Sequence, residues 1–175
     1  KAFDPQGIMN PGKIGDAQPM DQNLRYGEQY HTAQVETHFS FAAEGGLQQA
    51  VELCSGVGHC RKKLVGTMCP SYMATLEEEH STRGRANALR AALSGKLGSE
   101  GLTDQKVYEA MELCLECKAC KSECPSNVDM AKLKYEFLAQ YHAKNGYPLR
   151  SHLFAKIDRV SRWASKVAPV ANWIM

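Results

Sequence analysis

The sequence has no run of about eighteen or more apolar residues and no charged leader followed by an apolar core, so neither a membrane span nor an export signal is expected. Nothing in it alternates apolar and polar residues at period two over the length of a strand, which argues against a sheet and for a mainly α fold. It lacks helix-turn-helix, zinc-finger and RNA-binding signatures, so nucleic acid is not an expected partner. It also lacks the even cysteine set of a full disulfide framework, since the count is seven in 175 residues. With 43% hydrophobic residues the chain can bury an ordinary core without covalent support. A reducing, cytosolic compartment is therefore expected, and there closely spaced cysteines point to metal or redox chemistry.

The net charge of +2 conceals an asymmetry. Residues 1–130 hold 13 Lys/Arg and 17 Asp/Glu, while residues 131–175 hold 8 and 2. The basic tail suits a solvated helix face, with an acidic partner or the inner face of a membrane as the alternative. The chain begins at Lys1 and stops at Met175 within an apolar run, the pattern expected of a piece of a longer protein.

Along the chain, residues 1–45 carry turn chemistry at Asp4-Pro5, Asn10-Pro11-Gly12 and Gly45-Gly46 and read as an extended segment. Helices are expected from Leu47 to about Leu53, after the cap Ser81 as far as Gly95, after Thr103 and Asp104, and after Asp129 as far as Asn145-Gly146. A fifth, with Leu149, Leu153, Ile157, Val160, Ala164 and Val167 on one stripe, is expected to end at Pro169. The domain reading is thus 1–45 as an extended lead-in, 46–146 as the α-helical body and 147–175 as an amphipathic basic helix.

The chemistry is concentrated in Cys114-Leu-Glu-Cys117-Lys-Ala-Cys120-Lys-Ser-Glu-Cys124-Pro125. Three thiolates at C-x2-C-x2-C spacing wrap one loop around an iron-sulfur cube, each meeting a different iron, and the fourth ligand comes from elsewhere. A zinc ion prefers two pairs separated by a loop. Covalent haem is excluded because Lys118 and Lys121 stand where its motif needs histidine. Cys54 and Cys60 have the spacing of the first and third members of the same motif, with Val57 in the middle place, and Cys69 precedes Pro70 as Cys124 precedes Pro125.

In two-cluster ferredoxins the cysteine before proline ligates the other cluster. This crossed arrangement assigns Cys114, Cys117, Cys120 and Cys69 to a [4Fe-4S] cluster. It leaves Cys54, Cys60 and Cys124 around an incomplete second site: a three-iron cluster, a four-iron cluster completed by His59 or water, or an empty relic. A local arrangement, with Cys124 as fourth ligand of the first cluster, is the alternative. Arg61, Lys62, Lys63, Lys118 and Lys121, with Arg83 and Arg85 if their helix packs beside the loop, are the cations available to a negative cluster, and Glu77, Glu78 and Glu79 are assigned to solvent.

The segments Cys54-Ser-Gly-Val-Gly-His-Cys60-Arg, Met68-Cys69-Pro-Ser-Tyr-Met-Ala-Thr75, Ser81-Thr-Arg-Gly-Arg-Ala-Asn87 and Cys114 to Pro125 resemble the iron-sulfur region of FAD-linked oxidoreductases. These join a vanillyl-alcohol-oxidase-type flavin domain to a cluster domain, as in the D-2-hydroxyglutarate and D-lactate dehydrogenase types. Lys1 to Ile14 is similar to the end of that flavin domain. The resemblance implies an α-helical ferredoxin-like domain in a larger oxidoreductase, in which FAD takes a hydride from a D-2-hydroxy acid and clusters carry the electrons onward. It implies an upstream flavin domain, a downstream domain and an acceptor protein or membrane quinone as partners, no catalytic residue and no activity in this piece alone. It also places Asn10, Pro11 and Gly12 near the flavin. A stand-alone α-helical ferredoxin subunit and a structural zinc or interaction module are the competing readings.

Overall fold

The computed structural model describes residues 3–9, 11–13, 16–24 and 26–174, apart from the side chains of 169–171, 173 and 174. Among the described residues there is no strand, and the helices are α1 (Leu47–Glu52), α2 (Pro70–Thr75), α3 (Thr82–Leu93), α4 (Gln105–Glu112), α5 (Ala119–Glu123), α6 (Met130–Asn145), α7 (Leu149–Ala155) and α8 (Ile157–Ile174). The mainly α expectation holds. No helix among these residues is long and apolar enough to cross a membrane.

Three helices start at side-chain caps that the sequence announces. The Ser81 hydroxyl accepts from Gly84 N at 2.9 Å, the Asp104 carboxylate from Lys106 N at 2.7 Å and the Asp129 carboxylate from Lys132 N at 3.0 Å. Their buried faces follow helical spacing: Ala86, Leu89 and Leu93 on α3, Val107 and Met111 on α4, Leu133 and Phe137 on α6. α3 is central and packs against α1, α4 and α6, with Val51 and Val128 filling the same core. Gly84 allows the 3-10 turn Glu78–His80 to close against the first turn of α3, because a Cβ there would lie 2.0 Å from the Glu78 carbonyl oxygen.

Residues 30–40, ahead of α1, carry no helix, as expected, and lie along the helical body. Ala33 N donates to the Leu93 carbonyl at 2.8 Å, and the amides of His38 and Phe39 both donate to Glu136 Oε2 at 3.0 Å. Glu136 is buried on α6, so this carboxylate spends its charge on satisfying main-chain donors of a distant segment.

The basic tail departs from expectation. The single stripe from Leu149 forms two helices, broken at Lys156, whose φ of −113° and ψ of 22° are non-helical. α8 continues through Pro169 to Ile174 rather than stopping there, since a proline removes one main-chain donor without obliging the helix to end. α2 and α5, each under two turns long, lie outside the helices expected from the sequence.

Replacing Glu136 by leucine leaves the His38 and Phe39 amides without their acceptor. The expected loss is about 1–3 kcal/mol in chemical denaturation, with faster hydrogen exchange at those two amides.

Candidate metal centre

The two cysteine loops share one backbone design. In the first, Cys114 to Cys120, the left-handed residues are Glu116 (φ 55°) and Lys118 (φ 59°); in the other, Cys54 to Cys60, they are Gly56 (φ 82°) and Gly58 (φ 76°), at the same two places. Each loop leaves the end of a short helix through a hydrogen bond from its first cysteine, Cys54 N to the Val51 carbonyl and Cys114 N to the Met111 carbonyl. Burial runs in parallel too: the first cysteine is partly buried, the middle place exposed and the last cysteine buried. The middle place is Cys117 in one loop and Val57 in the other. Loops with left-handed residues turn their amides inward and form concavities for anionic groups, iron-sulfur sites among them.

Each loop borders a cavity that takes its remaining thiol from the other half of the chain. Cys114, Cys117 and Cys120 line a space of about 330 Å³, counted to its open mouth, together with Cys69. Cys54 and Cys60 line a space of about 260 Å³ together with Cys124. Cys124 does not border the first cavity, so the local alternative finds no support in this arrangement. Met68 and Thr82 line both spaces and form their common wall. The segment leading to Cys69 is held by Glu123 on α5, whose Oε1 accepts from Thr67 N at 2.7 Å and whose Oε2 accepts from Met68 N at 3.3 Å.

The polar surroundings repeat as well. The N-terminus of α3 points at one loop's last thiol, with Arg83 N donating to Cys60 Sγ at 3.4 Å, and the N-terminus of α6 stands by the other's, where the Met130 and Ala131 amides favour the Cys120 thiolate against the effect of burial. Helix N-termini carry partial positive charge and favour thiolate. Arg90 Nη2 donates to the Cys54 carbonyl at 3.3 Å, and Lys134 Nζ to the Cys114 carbonyl at 2.7 Å. Sequence reasoning missed both cations because they come from distant helices.

Arg85 has no solvent exposure. Its Nε donates to the Ala110 carbonyl at 2.8 Å, its Nη2 to Ser71 Oγ at 3.1 Å and its Nη1 to Cys69 Sγ at 3.5 Å. Among the described residues it forms no ion pair with a carboxylate. Burial pushes the Cys69 thiol up, but the Ser71 hydroxyl, the Tyr72 amide and Arg85 outweigh it and bring it below the ordinary thiol value. Burial wins at Cys60, which is raised, and at Cys120, pushed up to about 11. A bound metal group would favour the ionised form of both.

The donor set fits a cluster better than a single ion. A tetrahedral zinc with its sulfurs about 2.3 Å away would hold them roughly 3.8 Å from one another. Among the described residues no group of three ligand atoms within 4.8 Å of one another includes a thiol; the group that meets this spacing is Glu77, Glu79 and His80. Four thiols around one cavity, with no three drawn within 4.8 Å of one another, suit a polynuclear group better than one ion.

Of the other residues that the sequence singles out, Asn10 lies outside the described residues, and Pro11 and Gly12 form an exposed turn. Arg61 and Lys118 are exposed, and His59 lies on the wall of the second cavity. The acidic run is exposed, as expected; within it Glu78 bridges Arg83 at 2.6 Å and Arg61 at 3.1 Å, which holds its carboxyl below the usual range. Glu77 and Glu79 flank His80.

With the thiols shared in this crossed way, Cys69→Ser and Cys124→Ser should damage different sites. Iron and acid-labile sulfide assays on anaerobic protein are expected to show a loss of about half in each, with the double variant losing nearly everything. Loss confined to the Cys124 variant would defeat the crossed pairing.

Comparison with known proteins places these loops. Residues 53–129 match the family described as "4Fe-4S dicluster domain". The chain is 26% identical to the D-2-hydroxyglutarate dehydrogenase of Escherichia coli (strain K12) and 29% identical to that of Pseudomonas putida, in each case over 99% of this chain and 20% of the relative. It is 32% identical to the "Probable glycolate oxidase iron-sulfur subunit" of Bacillus subtilis, over 50% of this chain and 19% of that protein. The chain therefore spans about a fifth of the length of the curated relatives it matches. No solved structure matches it significantly. The cysteine-bearing body, residues 53–129, is thus similar to the 4Fe-4S dicluster domain family, within a chain similar to part of the D-2-hydroxyglutarate dehydrogenases.

Proposed function

We propose that this chain is the electron-transfer portion of an FAD-dependent dehydrogenase that converts a D-2-hydroxy acid to its 2-oxo acid. The observation that carries the reading is Arg85: a guanidinium with no solvent exposure and no carboxylate partner among the described residues, bonded to Cys69 at the rim of a four-thiol cavity. A buried cation is costly unless something negative compensates it. Four thiolates around a [4Fe-4S] core supply that charge, and the cluster, when bound, accepts and gives up one electron at a time.

Within this proposal Cys69, Cys114, Cys117 and Cys120 hold the first cluster, and Cys54, Cys60 and Cys124 border the second. The protein's part is to hold the thiolates, lower the cost of added negative charge through Arg85 and the amides of α6, and keep the two sites one side-chain layer apart at Met68 and Thr82. The domain reading, with 1–45 closing a flavin domain, 46–146 as the cluster body and 147–175 leading to a downstream domain, belongs to the same proposal. So do Asn10, Pro11 and Gly12 at the flavin, the inactivity of this piece alone, and a protein or membrane quinone as acceptor at the cytoplasmic side.

A stand-alone electron-transfer subunit is the second reading, favoured by the Bacillus subtilis relative, whose name is that of a subunit. That likeness covers half of the chain, whereas the dehydrogenases align over 99% of it. A zinc module is disfavoured by the wide spacing of the thiols.

Anaerobic protein is expected to be brown, to contain acid-labile sulfide and to bleach on reduction. Colourless protein with stoichiometric zinc would overturn the reading. In Arg85→Met the first cluster should become harder to reduce, because a cation favours the more negative state. A loss of roughly 1 kcal/mol corresponds to about 40 mV for one electron, measured by redox titration.

A further inference from the structure

The second cavity departs from the description of the family that residues 53–129 match. A dicluster domain with two complete four-iron clusters needs a thiolate for every iron, yet the chain has seven cysteines. The shortfall falls on one corner. Val57 occupies the place that Cys117 occupies in the companion loop, between left-handed residues at the same positions and, like it, open to solvent.

Resting on the cluster reading above, we infer that the second cavity is a three-iron site, in which Cys54, Cys60 and Cys124 each bind one iron and Val57 closes the corner where a fourth would sit. The loop geometry determines which corner is lost. The first and last cysteines of both loops are partly or fully buried, while the middle place faces outward, and Val57 is 66% exposed. An iron at this outermost corner would be held by sulfide alone and face solvent, the condition under which ferrous iron is lost. Valine offers it no donor.

The other polar residues of the cavity do not occupy the loop position of Val57. His59 occupies the place of Ala119, one residue before the last cysteine, a position that supplies no ligand in the companion loop. The hydroxyls of Ser55 and Ser126 lie 3.1 Å apart and are engaged with each other. One of the three sulfurs at the site is held by the main chain, since Cys60 Sγ accepts from Arg83 N at 3.4 Å. The guanidinium of Arg83 also donates to the Gly56 carbonyl at 3.2 Å, bracing the loop beside Val57.

The test is iron and acid-labile sulfide analysis with electron paramagnetic resonance, on the protein at its full natural length, purified anaerobically. About seven irons per chain and the signal of an oxidised three-iron cluster, which an oxidised four-iron cluster does not give, are expected. Val57→Cys should raise the iron to about eight and abolish that signal, while His59→Ala should leave both unchanged. Cys117→Val should create the same defect in the first site, lowering iron to about six and roughly doubling the signal, which keeps the inference testable if Val57→Cys fails to fold.

Wild-type protein with about eight irons and no three-iron signal would overturn the inference, and His59→Ala losing one iron would then identify the fourth ligand. About four irons, insensitive to Cys54→Ser and Cys60→Ser, would also overturn it by showing an empty second site while the first-site reading stands. Iron-free, sulfide-free protein would sink the underlying cluster reading as well.

Discussion

A full positive charge without access to water is the constraint around which the site is organised. Arg85 leaves α3 and enters the interior, where three of its donors are taken by the Ala110 carbonyl, the Ser71 hydroxyl and the Cys69 sulfur. These contacts bind the last turn of α4, the start of α2 and the centre of the fold together at one point. Among the described residues its charged end meets sulfur and not a carboxylate, so in the proposed account the cluster and the buried cation stabilise each other. This mutual dependence explains why an interior this small tolerates a guanidinium at all.

The second organising feature is the exchange of cysteines between the two halves. Each cysteine loop is completed by the thiol that follows the other loop in sequence, so neither cavity can form from a contiguous stretch. Glu123 reinforces the exchange by holding Thr67 and Met68, just before Cys69, against α5. The crossing brings the sites to opposite sides of Met68 and Thr82. In the proposed account, proximity across one layer of side chains suits single-electron passage between the two centres.

Much of this is legible in the amino-acid pattern alone. Ser81, Asp104 and Asp129 mark helix starts because a short polar side chain before an apolar-periodic run satisfies orphan amides. The spacing of Cys114, Cys117 and Cys120, and the proline after Cys69 and Cys124, foreshadow the grouping of thiols about two cavities. What the pattern does not disclose is long-range: Arg90 reaching the Cys54 carbonyl, Lys134 reaching the Cys114 carbonyl and Glu136 receiving amides from the segment nearly a hundred residues earlier. Lysines and arginines are usually exposed, so local pattern assigns such residues to solvent. The helix runs past its expected stop at Pro169 for a related reason, because local chemistry gives a preference and not a rule.

The most direct measurement is anomalous X-ray scattering at the iron edge from crystals of the protein grown without oxygen. Two separate iron features are expected, one bounded by the sulfurs of Cys69, Cys114, Cys117 and Cys120 and the other by those of Cys54, Cys60 and Cys124, on either side of Met68 and Thr82. A zinc-edge peak in place of iron, or an iron cluster bounded by Cys114, Cys117, Cys120 and Cys124, would contradict it.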